Sequence, residues 1–266
     1  MIFDTHTHLN FSEFDKDRDE LIKKILKSQI GIINVGTNFK SSEKGINIAN
    51  EYKDVFASIG LHPLNIAYDP LKSKECFEAE EGFLEDSFSY EKYKELAKDK
   101  KVVAIGECGL DYYHKPKGVE GFEEVQKMVF EKQLDLAKEL DLPIILHCRN
   151  AFDDTYEIIS KRSNKGVLHC FTGTKEEAER FAALGFYFGI NGIIFKTEME
   201  EAIKSIPMDR ILLETDCPYL SPPKFEERNN PLSLKYVIEE LSRIKGVSTK
   251  EIEEITRQNT KDLFNI

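Results

Sequence analysis

Two histidines two residues apart, His6 and His8 in IFDTHTH, follow a short apolar run near the start of the chain. Alternate side chains of an extended strand point to one side, so both imidazoles would enter the same space. Neutral imidazole is the commonest side-chain metal ligand, and metal binding is the chemistry this spacing suggests. The pair alone decides little, because such spacing also occurs by chance. Further donors recur downstream: Glu107 in VVAIGECGLDYY, His147 in LPIILHCRNA, His169 in GVLHCFTG and Asp216 in RILLETDCPYLSP. Each has an ordinary explanation taken singly. His147 or His169 could be a hydrogen-bonded core histidine, Glu107 an interior ion pair, and Asp216 a turn cap. Converging, the six would hold two divalent cations, with the Glu107 carboxylate able to bridge them.

Strands are expected to position these residues, near 2–4, 31–36, 55–60, 102–106, 144–147, 167–169, 186–190 and 211–214. Amphipathic stretches such as DRDELIKKILKSQ, FEEVQKMVFEKQLDLAKEL and KEEAERFAALG lie between them. Eight strand-then-helix units without a Pro-, Gly- or Ser-rich linker predict an α/β fold, a (β/α)8 TIM barrel occupying residues 1–266 as a single domain. An open doubly wound sheet is the alternative, weakened by the lack of a glycine-rich loop after the first strand. All six donors then fall at carboxyl ends of barrel strands, the face where barrel enzymes do their chemistry. Residues 70–100 read as a charged helix with an excursion beside the barrel. Residues 217–231 read as an irregular loop over its mouth, and 231–266 as terminal helices closing its end.

Composition narrows the class. The chain has 266 residues, 41% of them hydrophobic, and a formal net charge of −11. That balance argues against a protein that coats nucleic acid through a broad basic face. It leaves room for an enzyme that grips a few phosphates through bound cations. No apolar run approaches a membrane span, and no leader-like segment opens the chain. Five scattered cysteines form no CxxC pair, which suits a reducing cytoplasm.

The succession FDTHTHL, GLHP, GECGLDYY, QLDLAKELDLPIILHCRNA, HCFTG, LLETDCPYLSP and RNNP, from residue 3 to 231, resembles the TatD family of metal-dependent deoxyribonucleases. The resemblance implies a barrel of the metallo-dependent hydrolase type. It implies His6 and His8 on one metal, His147 and His169 on the other, Glu107 bridging and Asp216 completing the first. Related hydrolases place a carboxylated lysine at the bridge, where this chain has Glu107. After the seventh strand the family often has Ser-Gly, and this chain has Asn191-Gly192. The activity implied is a 3′–5′ exonuclease on DNA, entering as single-stranded or frayed 3′ ends, with two divalent ions (Mg, Mn or Zn) as cofactors.

Two such ions, about 3.5–4 Å apart, activate water and neutralise phosphoryl charge. Asp216 is the expected general base beside Glu107. His62 in GLHP and Arg149 in HCR are expected to bind the scissile phosphate. Asp111 and Tyr112 are expected to orient Glu107 or its loop, and His114 to sit in solvent. Arg228 and Asn229 are expected to anchor the loop that carries Asp216. Tyr112, Tyr113 or Phe171 could stack bases. Cys108, Cys148, Cys170 and Cys217 should alternate off the donor face and pack as small apolar groups. A monomer without membrane contact is the default. The alternative function is another hydrolase on the same metal pair, acting on a cyclic amide, lactone, small phosphoester or D-aminoacyl-tRNA.

Overall fold

The computed structural model describes residues 1–66, 88–114 and 121–266. Eight parallel strands run round one sheet in chain order: β1 (Ile2–Thr7), β2 (Ile30–Val35), β3 (Val55–Ile59), β4 (Val102–Asp111), β5 (Ile144–Arg149), β6 (Gly166–Leu168), β7 (Tyr187–Ile190) and β8 (Ile211–Leu213). The last returns to the first. The Thr5 hydroxyl donates to the Leu213 carbonyl at 3.1 Å. Beyond β8, the Asp216 amide donates to His6 O and the His8 amide to Cys217 O, each at 2.9 Å. This is the expected barrel.

The strands alternate with α1 (Arg18–Lys27), α2 (Phe39–Glu51), α3 (Tyr90–Leu96), α4 (Phe122–Glu139), α5 (Phe152–Ser160), α6 (Lys175–Ala183) and α7 (Glu200–Ser205). Two more helices, α8 (Leu234–Lys245) and α9 (Thr249–Phe264), follow β8. Local chemistry sets these limits. In α6, Thr174 accepts from the Glu177 amide while Glu177 accepts from the Thr174 amide, so the helix's first orphan N–H groups are satisfied. Gly185, at φ +82, ends the same segment and admits β7. Of the stretch 70–100, α3 fills the end, and residues 67–87 lie outside the described residues. No helix among the described residues is long and apolar enough to cross a membrane.

Period-two alternation divides the strands into two faces. Outward residues such as Ile32, Ala57, Ile144 and Leu146 join the large core under the helices. Inward residues Ile33, Val35, Val103, Ile145, Val167 and Leu212 form a second cluster, which Leu263 and Phe264 of α9 complete. These inward residues come mainly from early strand positions, so α9 seals the amino-terminal end. The polar residues of the carboxyl-terminal end stand above that apolar floor.

Three strands are longer than the sequence suggests, among them β5, which runs on to Arg149. β1 continues through His6, and β4 continues to Asp111, so Glu107 lies inside a strand rather than after one. Gly106 and Gly109 carry φ of +150° and +142°, where only glycine is comfortable. They let β4 pass a register shift between Ile105 and Cys108 and resume pairing with β5. Glycines that read as breakers are therefore what keeps this strand going.

Candidate active site

Each strand carries its donors on the inward face, one step above the apolar floor. On β5 that face reads Ile145, His147, Arg149; on β6, Val167 is followed by His169. On β1 it reads Asp4, His6, His8. Just past β5, β6 and β8, Asn150, Cys170 and Asp216 adopt left-handed φ of 54°, 45° and 56°. Non-glycine residues held there are uncommon and cluster at functional sites.

All six expected donors meet. Glu107 is central: its Oε2 lies 3.3 Å from His6 Nε2 and 3.8 Å from His8 Nε2, and its Oε1 lies 3.0 Å from His147 Nδ1 and 3.8 Å from His169 Nε2. Asp216 Oδ1 is 3.4 Å from His8 Nε2 and 3.8 Å from His6 Nε2. Two close donor groups share this arrangement, His6–His8–Asp216 on one side and His62–Glu107–His147 on the other. His62 packs at the Glu107 carboxylate, 3.4 Å away, and also lines the cleft above it. His147 and His169 do not form one group; His169 joins His6 and Glu107, and also Cys170 and Asp216.

Tautomers can be assigned from partners. The Val35 carbonyl can only accept, so His8 Nδ1, 3.2 Å away, carries the proton and Nε2 turns its lone pair inward. His169 Nδ1 faces the Glu214 carboxylate at ion-pair distance, 2.9 Å from Oε1. Inward imidazole lone pairs opposite two carboxylates suit a divalent cation. The electrostatics agree. Burial works against the charge of Glu107, yet His62, His6 and His169 hold its carboxyl well below the usual carboxylate range. Burial opposes protonation of His147 and His169 too, but Asp111 and Glu107 push the first up to about 9, and Glu214 and Asp216 push the second up to about 10. A cluster with so negative a field offers cations a deep well.

An outer layer holds these donors, and the sequence showed little of it. Asp111 accepts from His147 Nε2 at 3.0 Å and lies 2.9 Å from His114 Nδ1, so it orients His147, while its other oxygen accepts from the Tyr113 and His114 amides and holds the loop as expected; His114 is not simply solvated. Glu214 accepts from Asn191 Nδ2 at 2.9 Å and from the Cys170 amide at 2.7 Å, beneath His169. Asn191 thus braces a carboxylate. Gly189 makes room for it, since a Cβ there would sit 2.0 Å from Glu214 Oε2. Replacing Glu214 by Gln should weaken metal affinity roughly 10- to 100-fold, because His169 loses the negative charge that faces its Nδ1. Isothermal titration of the metal-stripped variant checks this, and unchanged affinity would refute it. Asp4, fully buried, accepts from the Thr215 hydroxyl at 2.6 Å and from the Thr215 amide at 3.0 Å; burial pushes its carboxyl up to about 8.

Above the donors opens a cleft of about 560 Å³, walled by Phe11, Tyr113, Arg149, Ile193 and Tyr219. Phe11 stacks on His8, with ring centroids 4.5 Å apart. Asn229 donates to the Thr215 carbonyl at 3.0 Å and Arg228 pairs with Asp17 at 2.7 Å, so both anchor the loop after β8 as expected. Among the described cysteines, Cys108, Cys148 and Cys217 are buried, and Cys148 also borders the cleft beside the half-buried Cys170. The left-handed backbone of Cys170 breaks strand alternation and swings the thiol to the donor side.

Comparison with known proteins fits this geometry. A family model described as "TatD related DNase" matches residues 3–265. A Bacillus subtilis protein named "Uncharacterized metal-dependent hydrolase YabD" is 38% identical, with all of both chains covered. The Escherichia coli "3′-5′ ssDNA/RNA exonuclease TatD" is 32% identical over all of this chain and 99% of its own. Among solved structures, the TatD homologue YJJV from Escherichia coli matches with a TM-score of 0.83 at 28% identity, covering 100% of this chain and 98% of that one. A barrel whose strand ends gather these donors, matched end to end by such relatives, belongs to the TatD-related DNase family of metal-dependent hydrolases.

Proposed function

We propose that this hydrolase is a divalent-metal-dependent 3′–5′ exonuclease acting on unpaired DNA, with His6, His8, Glu107, His147, His169 and Asp216 as metal ligands and His62 as a further ligand candidate. The observation that carries the reading is the pair of donor groups meeting at Glu107 on the floor of a cleft with Arg149 at its rim. Relatives named as ssDNA/RNA exonucleases support the substrate class.

Bound divalent ions would lower the pKa of a water and neutralise charge on phosphoryl oxygens. The protein's own groups do the rest. Asp216 lines the cleft beside His6, His8 and His169. Burial works against its charge, but His169, His8 and His6 hold its carboxyl below the usual carboxylate range, so it is an ionised acceptor for the attacking water's proton. Arg149, inward-facing two residues beyond His147, presents a planar fork of donors suited to a phosphate. Glu107 and the outer layer of Asp111 and Glu214 keep the imidazoles in place.

The test is a metal-by-substrate panel. Metal-stripped protein receives one ion at a time with end-labelled single- and double-stranded DNA, RNA, and small amides and lactones. Stepwise release of nucleotides from the 3′ end, only with added ion, is expected. Hydrolysis of amides or lactones beside untouched DNA would overturn the reading in favour of a different hydrolase of this fold.

A further inference from the structure

Of the aromatics Tyr112, Tyr113 and Phe171, the structure leaves Tyr113 open to a nucleobase. Phe171 is buried. The Tyr112 hydroxyl is turned onto α5, donating to Asp154 at 2.7 Å. Tyr113 lines the cleft with 60% of its surface exposed. Among the described residues, Tyr113 belongs to neither core cluster.

The ring is also braced. The Arg149 guanidinium carbon stands 4.5 Å from its centroid, over one face. The His114 imidazole stands nearly perpendicular to it, with centroids 4.8 Å apart and planes at 84°. Asp111 ties the group to the metal donors. One of its oxygens accepts from the Tyr113 amide at 3.0 Å, and the other accepts from His147 Nε2 at 3.0 Å and faces His114 Nδ1. Asp111 pairs across the sheet with Arg149, so both sides of the stack rise from adjacent strand ends. The ring is therefore fixed relative to His147 before anything binds, which spares a ligand the cost of ordering it.

Resting on the exonuclease reading above, we propose that Tyr113 is a base-stacking platform that takes an unpaired nucleobase beside the scissile phosphate. The base lies on the ring face away from Arg149, giving a guanidinium–ring–base stack. Aromatic stacking tolerates any base, because every base has a π-face. A base within a duplex has both faces covered by its neighbours, so this platform admits unpaired ends and turns away closed helix. Tyr113 thus supplies selection for strandedness without selection for sequence.

The experiment uses metal-loaded protein and single-stranded DNA oligonucleotides, either intact or carrying one abasic residue at each of the last three 3′ positions. For wild type, removing the base at one of these positions should raise KM roughly 10- to 100-fold. Tyr113→Ala should lose as much on intact DNA and nothing further when that base is missing, while Tyr113→Phe should behave as wild type. A thermal melt matching wild type shows that the variant is folded, as expected for so exposed a residue. Intact DNA handled equally well by Tyr113→Ala, or a loss as large on the abasic strand, overturns the platform alone. Wild-type protein that neither binds nor degrades any oligonucleotide overturns the exonuclease reading and the platform with it.

Discussion

Glu107→Gln protein should come off a chelating column and a reloading step almost free of divalent metal, and without measurable turnover. Glu107 turns one oxygen to each donor group, Oε2 towards His6 and Oε1 towards His147. The amide keeps its size but removes the negative charge from the middle of the cluster. Removing one partner from a buried charge network costs about 3–5 kcal/mol, which corresponds to roughly 10²–10⁴-fold in affinity. Metal analysis of the reloaded protein by atomic emission is the direct readout. The barrel should survive, because Glu107 stands above the apolar floor rather than in it. Metal content equal to wild type would remove Glu107 from the centre of the site.

Asp216→Asn should separate binding from chemistry. The fold should hold: the Asp216 amide hydrogen bond to His6 O is untouched, and asparagine, like aspartate, is one of the few non-glycine residues that adopt φ near 56°. Its oxygen can still face a cation, so metal content should fall less than for Glu107→Gln. Turnover should drop by about 10²–10⁴-fold, the usual contribution of a positioned base, and excess metal should not restore it. Rate measurements across a metal titration decide the matter. Recovery to wild-type rates at high metal would make Asp216 a ligand only.

Much of this was legible beforehand because it depends on short-range periodicity. Apolar strand cores and the donors two residues beyond them, as in Ile145–His147 and Val167–His169, reveal a barrel mouth directly. What stayed hidden depends on long-range register. Glu214 reads as the tail of β8 beside Asp216; only the space left by Gly189 on the neighbouring strand shows that it serves His169. Asp111 reaches His147 only because β4 runs on through Gly106 and Gly109 to pair with β5. Cys170 was misplaced by strict alternation, which a left-handed residue breaks. Tyr113 was one of three aromatics until burial and hydrogen bonding removed the other two.

The seam between the first and last strands has a mechanical corollary. His6 and His8 lie on one bank of it and Asp216 on the other, more than two hundred residues away along the chain. An ion gripped from both banks would act as a clasp on the hoop of strands, resisting the separation with which unravelling of such a ring can begin. Ligands that bind only the native state stabilise it by mass action. Melting of this protein should therefore track free metal concentration, and chelation should loosen the first and last strands ahead of the strands opposite.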